Sequence, residues 1–194
     1  MHIGKGMLLC PGFAALILLA NASESADFTN EHLAQAERLV YALGIPESLT
    51  IPATRALQQL RTKDPSRADL MDSIMRPYLD KNFLGREIRG FIAGEFDIET
   101  CRQLVELWEG PVGRKFVNTQ VQLLTTGNAP QLEFTADEEA IMKRFEQSPA
   151  AQAFARGMPV VMEKIAEFTK DTKGKIDRKR DEELARRREG PSQK

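Results

Sequence analysis

The sequence predicts an all-α protein, a bundle of paired short helices with a basic C-terminal extension. Three observations carry this expectation. Apolar residues recur at three- and four-residue spacing through most of the chain, and nowhere do they alternate over the length of a strand. Capping residues, glycines and prolines punctuate the apolar stripes at helix-length intervals. Residues 96–124 and 134–168 read as two copies of one helix–break–helix unit.

Residues 1–22 are predicted to be a secretory signal rather than part of the fold. Lys5 precedes a thirteen-residue apolar run, residues 8–20, and Ala20-Asn21-Ala22 offers small residues where a signal peptidase reads. The run falls short of the roughly 20 residues that span a bilayer. Leu9 is too bulky to make Cys10 a lipid-attachment site. Cleavage near Ala22 would place the chain in an exported, most simply periplasmic, setting. It would also leave Cys101 as a lone cysteine, buried on an apolar helix face rather than reactive or bridged between chains. The whole sequence carries 27 basic and 28 acidic residues. Residues 173–194 hold nine basic and five acidic residues, so a basic tail follows an acidic body.

Within residues 23–172, one helical domain is expected. Thr29 caps a first helix carrying Leu33, Ala36, Leu39, Val40 and Leu43, and Gly44 supplies a left-handed stop. A second helix is predicted from Pro52 to Arg61, burying Leu57 and Leu60, with Asp64-Pro65 as its break. Ser66 to Asp69 resembles a capping box for a third helix with Leu70, Met71, Ile74, Met75 and Tyr78. Pro77 must kink or end that helix. A fourth carries Ile88, Phe91 and Ile92, and its Gly90-Phe91-Ile92-Ala93-Gly94 stretch could admit a close neighbour.

In the repeat, Asp97 and Thr135 are the predicted N-caps, Thr135 forming a capping box with Glu138. Gly110-Pro111-Val112-Gly113 aligns with Ser148-Pro149-Ala150-Ala151, and Phe116 with Phe154. Proline suits a first helical position, where its missing donor costs nothing. The second helices bear one-sided apolar stripes that need a partner. Two hairpins packed on each other would provide one. Pro159 should kink the last long helix near Ala155. Beyond Asp171 apolar residues nearly vanish, which implies a solvated, ion-paired helix or a disordered tail.

The stretch Leu107-Trp108-Glu109-Gly110-Pro111-Val112-Gly113-Arg114-Lys115-Phe116 and its counterpart Phe145-Glu146-Gln147-Ser148-Pro149-Ala150-Ala151-Gln152-Ala153-Phe154 resemble the motif of the bacterial domain-of-unknown-function family numbered 2059. That motif runs Phe-Tyr-x-Ser-Pro-x-Gly ahead of an apolar helix. The first copy departs from it with Leu-Trp and Gly110, and the second with Ala151. The resemblance spans residues 69–168. It implies an exported α-helical protein and supplies no catalytic residue.

Chemistry-bearing patterns are sparse. His32 is the one histidine beyond the signal, so a His/Cys zinc set lacks ligands. Asp69 with Asp72, or Asp137-Glu138-Glu139, could offer oxygens to a hard cation. The latter trio, however, sits where acids favour a helix N-terminus. No Gly-x-Ser-x-Gly or Ser-x-x-Lys motif occurs, and no glycine loop follows a strand. No catalytic residue, metal or cofactor is therefore assigned, and export leaves no nucleic acid to bind. Trp108, the single tryptophan, is expected in the core rather than as a binding platform.

The leading expectation is a non-enzymatic envelope protein that binds a protein partner, or itself, through a helical-hairpin face. The motif residues Trp108, Gly110, Pro111, Gly113, Phe116, Phe145, Ser148, Pro149 and Phe154 are read as structural, shaping the hairpins rather than contacting a ligand. The alternative is a small-ligand binder or an enzyme with an unfamiliar site; the corners at Gly110-Pro111 and Ser148-Pro149 could frame a pocket, but helix capping accounts for them. A third expectation is attachment to an anionic membrane or wall polymer through Arg178, Lys179, Arg180, Arg186, Arg187 and Arg188, by salt-sensitive attraction.

Overall fold

A computed structural model describes residues 28–189, which form eight α-helices with no strand among them. The predicted signal at 1–22 lies outside the described residues. Helix α1 (Asn30–Ala42) is the axis of the fold. It packs most heavily on α4 (Lys81–Glu95) and α5 (Ile98–Glu109). Its Ala36, Leu39 and Val40 are fully sealed against Ile88, Ile92, Cys101 and Leu104. Helix α8 (Pro149–Glu189) closes this core with Val161 and Ile165.

The local signals act as the sequence implies at most helix ends. The Thr29 and Asp97 side chains accept the amides of His32 and Thr100 as expected, and Asp80, not anticipated as a cap, accepts that of Phe83. Gly44 adopts φ +66°, a left-handed turn that a side chain would strain. Thr135 and Glu138 form the expected reciprocal capping box at the start of α7 (Ala136–Glu146).

Four expectations are corrected. Helix α2 (Ile45–Lys63) begins at Ile45, seven residues before the predicted start, and runs through Pro52. Pro46 in its first turn fits without loss, and Thr50 and Ser48 return hydroxyl bonds to the carbonyls of Pro46 and Gly44. Leu57 is buried, whereas Leu60 is only half-buried. Helix α3 (Pro65–Met75) is capped by Asp64, which accepts the Arg67 amide, so Ser66 lies inside the helix. Gly90 faces no close neighbour and Gly94 only the Lys164 ammonium at 3.9 Å, whereas Gly85 against Tyr41 and Gly157 against Phe96 are crowded. By contrast, helix α8 runs through Pro159 and on to Glu189, so of the two forms expected for the tail its described part takes the helical one.

Pro77 ends α3 as expected, and a 3-10 turn follows at Arg76–Tyr78. The repeat units appear as α5 with α6 (Pro111–Thr126), and α7 with α8. The two units touch through α5 with α8 and α6 with α7, and share their packing with the rest of the bundle. Helix α5 contacts α1 more extensively than α6, α6 leans on α2, and α7 touches α6 and α8 only lightly.

Candidate functional site

The aligned motif residues converge at one end of the bundle. Gly110, in extended backbone, closes α5 and opens α6, with Pro111 in the first turn. A Cβ at Gly113 would run into the Trp108 backbone, so glycine there lets α6 fold back against α5. In the second copy the Ser148 hydroxyl caps α8 by accepting the Ala151 amide at 3.1 Å, and Pro149 starts the helix.

Trp108 sits at the centre of the motif side chains. Its ring lies 5.9 Å from Phe154 and 6.1 Å from Phe116, and Phe154 stacks on Phe96 at 6.3 Å. Leu107, Trp108, Val112, Gly113 and Phe116 from the first copy meet Met142, Phe145 and Glu146 from the second around a cavity of about 240 Å³. Trp108 is half-buried, partly core and partly cavity wall. Its indole Nε1 is shielded from solvent and has no hydrogen-bond partner, the sole such side-chain atom found among the described residues. An unmet buried donor costs about 1–3 kcal/mol.

Helix α7 roofs this cavity and is itself held lightly. Its one buried residue is Glu138. The Lys115 ammonium bonds the Glu138 carboxylate at 2.6 Å and the Glu133 carbonyl at 3.0 Å, and lies over the Phe134 ring. The Lys115 hydrogen bond, seconded by the Thr135 amide, lowers the Glu138 pKa. Of the acidic trio, Glu138 is thereby both cap and anchor, while Asp137 and Glu139 share the first turn of α7, where acids favour the helix dipole. Outside the cavity, Phe116 and Leu123 are 38% and 45% exposed, two turns apart on one face of α6. Val160 and Met162 are also exposed, but two positions apart they point to different sides of α8.

Other candidate groups have structural assignments. His32 Nε2 lies 2.7 Å from the Phe96 carbonyl, tying α1 to the end of α4. Cys101 is fully buried, and burial pushes its thiol up to about 12. Asp72 pairs with Arg61 and Arg76, which line a wide open cleft of about 950 Å³ beside α2 and α3. Among the described residues, no three His, Cys, Asp or Glu side chains could hold a metal ion together.

The tail residues do not form one basic face. Arg180 pairs with Asp177 and Asp181, Arg186 pairs with Glu183, and Lys179 lies over the Tyr78 ring. Arg178 and Arg187 are exposed on different sides of the helix, and the Arg188 side chain lies outside the described set. No helix among the described residues is long and apolar enough to cross a membrane. Comparisons with protein-family models, curated proteins and solved structures find no match to this chain.

Proposed function

We propose that this chain is an exported, non-catalytic binding protein whose partner is another protein that seats an apolar side chain in the Trp108 cavity. The observation that carries the proposal is the meeting of both motif copies around one apolar cavity, walled in part by Trp108, whose indole N–H has no partner. Phe116 and Leu123 extend the apolar surface outward along α6. Together they supply a buried aromatic anchor point and an apolar rim, the elements from which interface hot spots are built. An acceptor brought by the partner would recover the cost of the orphaned donor. Export rests on the signal pattern at 1–22, and it agrees with the resemblance to the exported helical family 2059.

A photo-crosslinking residue placed at Leu123 in the native cell envelope tests the proposal, with the same residue at Met162 as the reference position. A discrete adduct at Leu123, absent at Met162 and lost on adding Phe116→Asp, is the expected result. An adduct of twice the chain mass identifies the partner as a second copy. Equal labelling from both positions, or none from Leu123, contradicts the proposal.

A further inference from the structure

A second cavity lies away from the Trp108 site, between α2, α3 and α8, with a volume of about 340 Å³. Its apolar wall is built from Leu49, Met71, Met75, Tyr78, Phe168 and Ile176. All six are half-buried, while Ile74 and Leu84 close by are sealed at 7% and 3% exposure. Phe168 is backed by Phe83 and Phe91, with ring centroids 6.3 and 6.4 Å away, so the aromatic floor is fixed. Met71 and Met75, unbranched and polarizable, adapt readily to a flexible apolar ligand.

Polar groups collect along one edge, where α8 contributes Thr169, Thr172, Lys173 and Asp177. Lys173 bonds Asp177 at 3.1 Å, but Asp177 also holds Arg180 at 2.8 Å. The Lys173 side chain is 78% exposed, and such an exposed pair holds it weakly. Lys173 can therefore turn to an anionic ligand while Arg180 keeps Asp177 neutralised. Lys179, over the Tyr78 ring at 5.1 Å, adds a second cation on the same helix.

We infer that this cavity binds a single alkyl chain with an anionic head, the chain lying against Met71, Met75 and Phe168 and the head meeting Lys173. The volume is about twice that of a cavity of roughly 150 Å³ that holds benzene, which sets a chain of roughly a dozen carbons. Ligand sites of this kind are mostly apolar, with a few placed polar groups.

The test uses the chain without its signal, methyl-labelled at methionine, titrated with dodecanoate below its micelle concentration. Saturable one-to-one binding that moves the Met71 and Met75 methyl signals, and leaves Met142 and Met162 in place, is expected. Lys173→Gln should weaken dodecanoate about tenfold, the loss of a charged hydrogen bond, and leave dodecanol unchanged. Dodecyltrimethylammonium binding as tightly as dodecanoate overturns the inference, and so does a Lys173→Gln variant with wild-type affinity. A response at Met142 instead of Met71 would assign the chain to the Trp108 cavity and also overturn it. Flotation with vesicles of anionic phospholipid separates the sources. Capture by vesicles with no response to free dodecanoate would mean a membrane-surface contact and not an alkyl-chain site. Because the reporters for the two cavities differ, this inference and the partner-docking proposal fail separately.

Discussion

The two ends of α5 make opposite use of apolar residues. At its N-terminal side, Cys101 and Leu104 are fully buried against Leu39, Val40, Ile88 and Ile92. At its C-terminal side, Leu107 and Trp108 are half-buried and wall a cavity under α7. Both ends have aliphatic and aromatic residues at helical spacing. The difference lies in what covers them. Helix α1 is wedged between α4 and α5 and seals one end, whereas α7 buries only Glu138 and touches its neighbours lightly. Residues that stabilise and residues left available for contact are thus separated along a single helix.

The largest expected effect sharpens that contrast. Ile88→Ala removes a side chain with no solvent exposure and should cost about 2–5 kcal/mol in chemical denaturation. Met142→Ala, on the roof of the cavity, should cost less than half as much. Comparable losses at the two positions would erase the distinction. Next comes Gly113→Ala, where a new Cβ meets the Trp108 backbone and α6 must shift; overpacking of this kind costs about 1–3 kcal/mol. Gly90→Ala, with nothing near, should instead stabilise by about 0.4–1 kcal/mol by restricting the unfolded chain.

Lys115→Met removes the bonds that hold α7 down. Amides of residues 136–146 should exchange with solvent roughly tenfold faster, while those of α1 keep their rates. The Glu138 carboxyl is held below its ordinary value of 4.5, so its contribution is present at neutral pH and fades as pH falls through the lowered value. Lys115→Met should reduce that acid sensitivity of α7. The effect at Cys101 is confined to alkaline pH. Its thiol stays protonated up to about 12 when folded, against an ordinary 9.0, so stability should decline between those pH values as the unfolded chain alone ionises. In the native state at pH 8, thiol reagents should label it only at the rate of unfolding.

Much of the helical layout was legible because caps are local. Thr29, Asp97, Thr135 and Ser148 each bond an amide within three residues, and short-range spacing suffices to find them. Asp64 misled because the apparent Ser66 box competed with a better acceptor one step before Pro65. Pro52 misled because a helix absorbs one missing donor once its neighbours are packed on α3 and α6. The meeting of Trp108, Phe116, Phe145 and Phe154 was foreshadowed by the motif alignment, although the cavity between them was not. Cavities arise from how elements cross, and α7 meets α6 and α8 through contacts that no local spacing announces. The Met71–Phe168 wall joins residues nearly a hundred positions apart, with no shared motif to announce them.

The single tryptophan gives the most direct test of the binding site. Its indole N–H should yield one resonance in a nitrogen-15 correlation spectrum. Cyclohexanone and methylenecyclohexane have nearly the same shape, and only the ketone accepts a hydrogen bond. If the Trp108 cavity receives an apolar group with an acceptor, the ketone should move the indole signal downfield and saturate, with the hydrocarbon moving it much less. An indole signal that neither compound moves would contradict the site, and equal shifts from both would contradict the role of the unpartnered N–H.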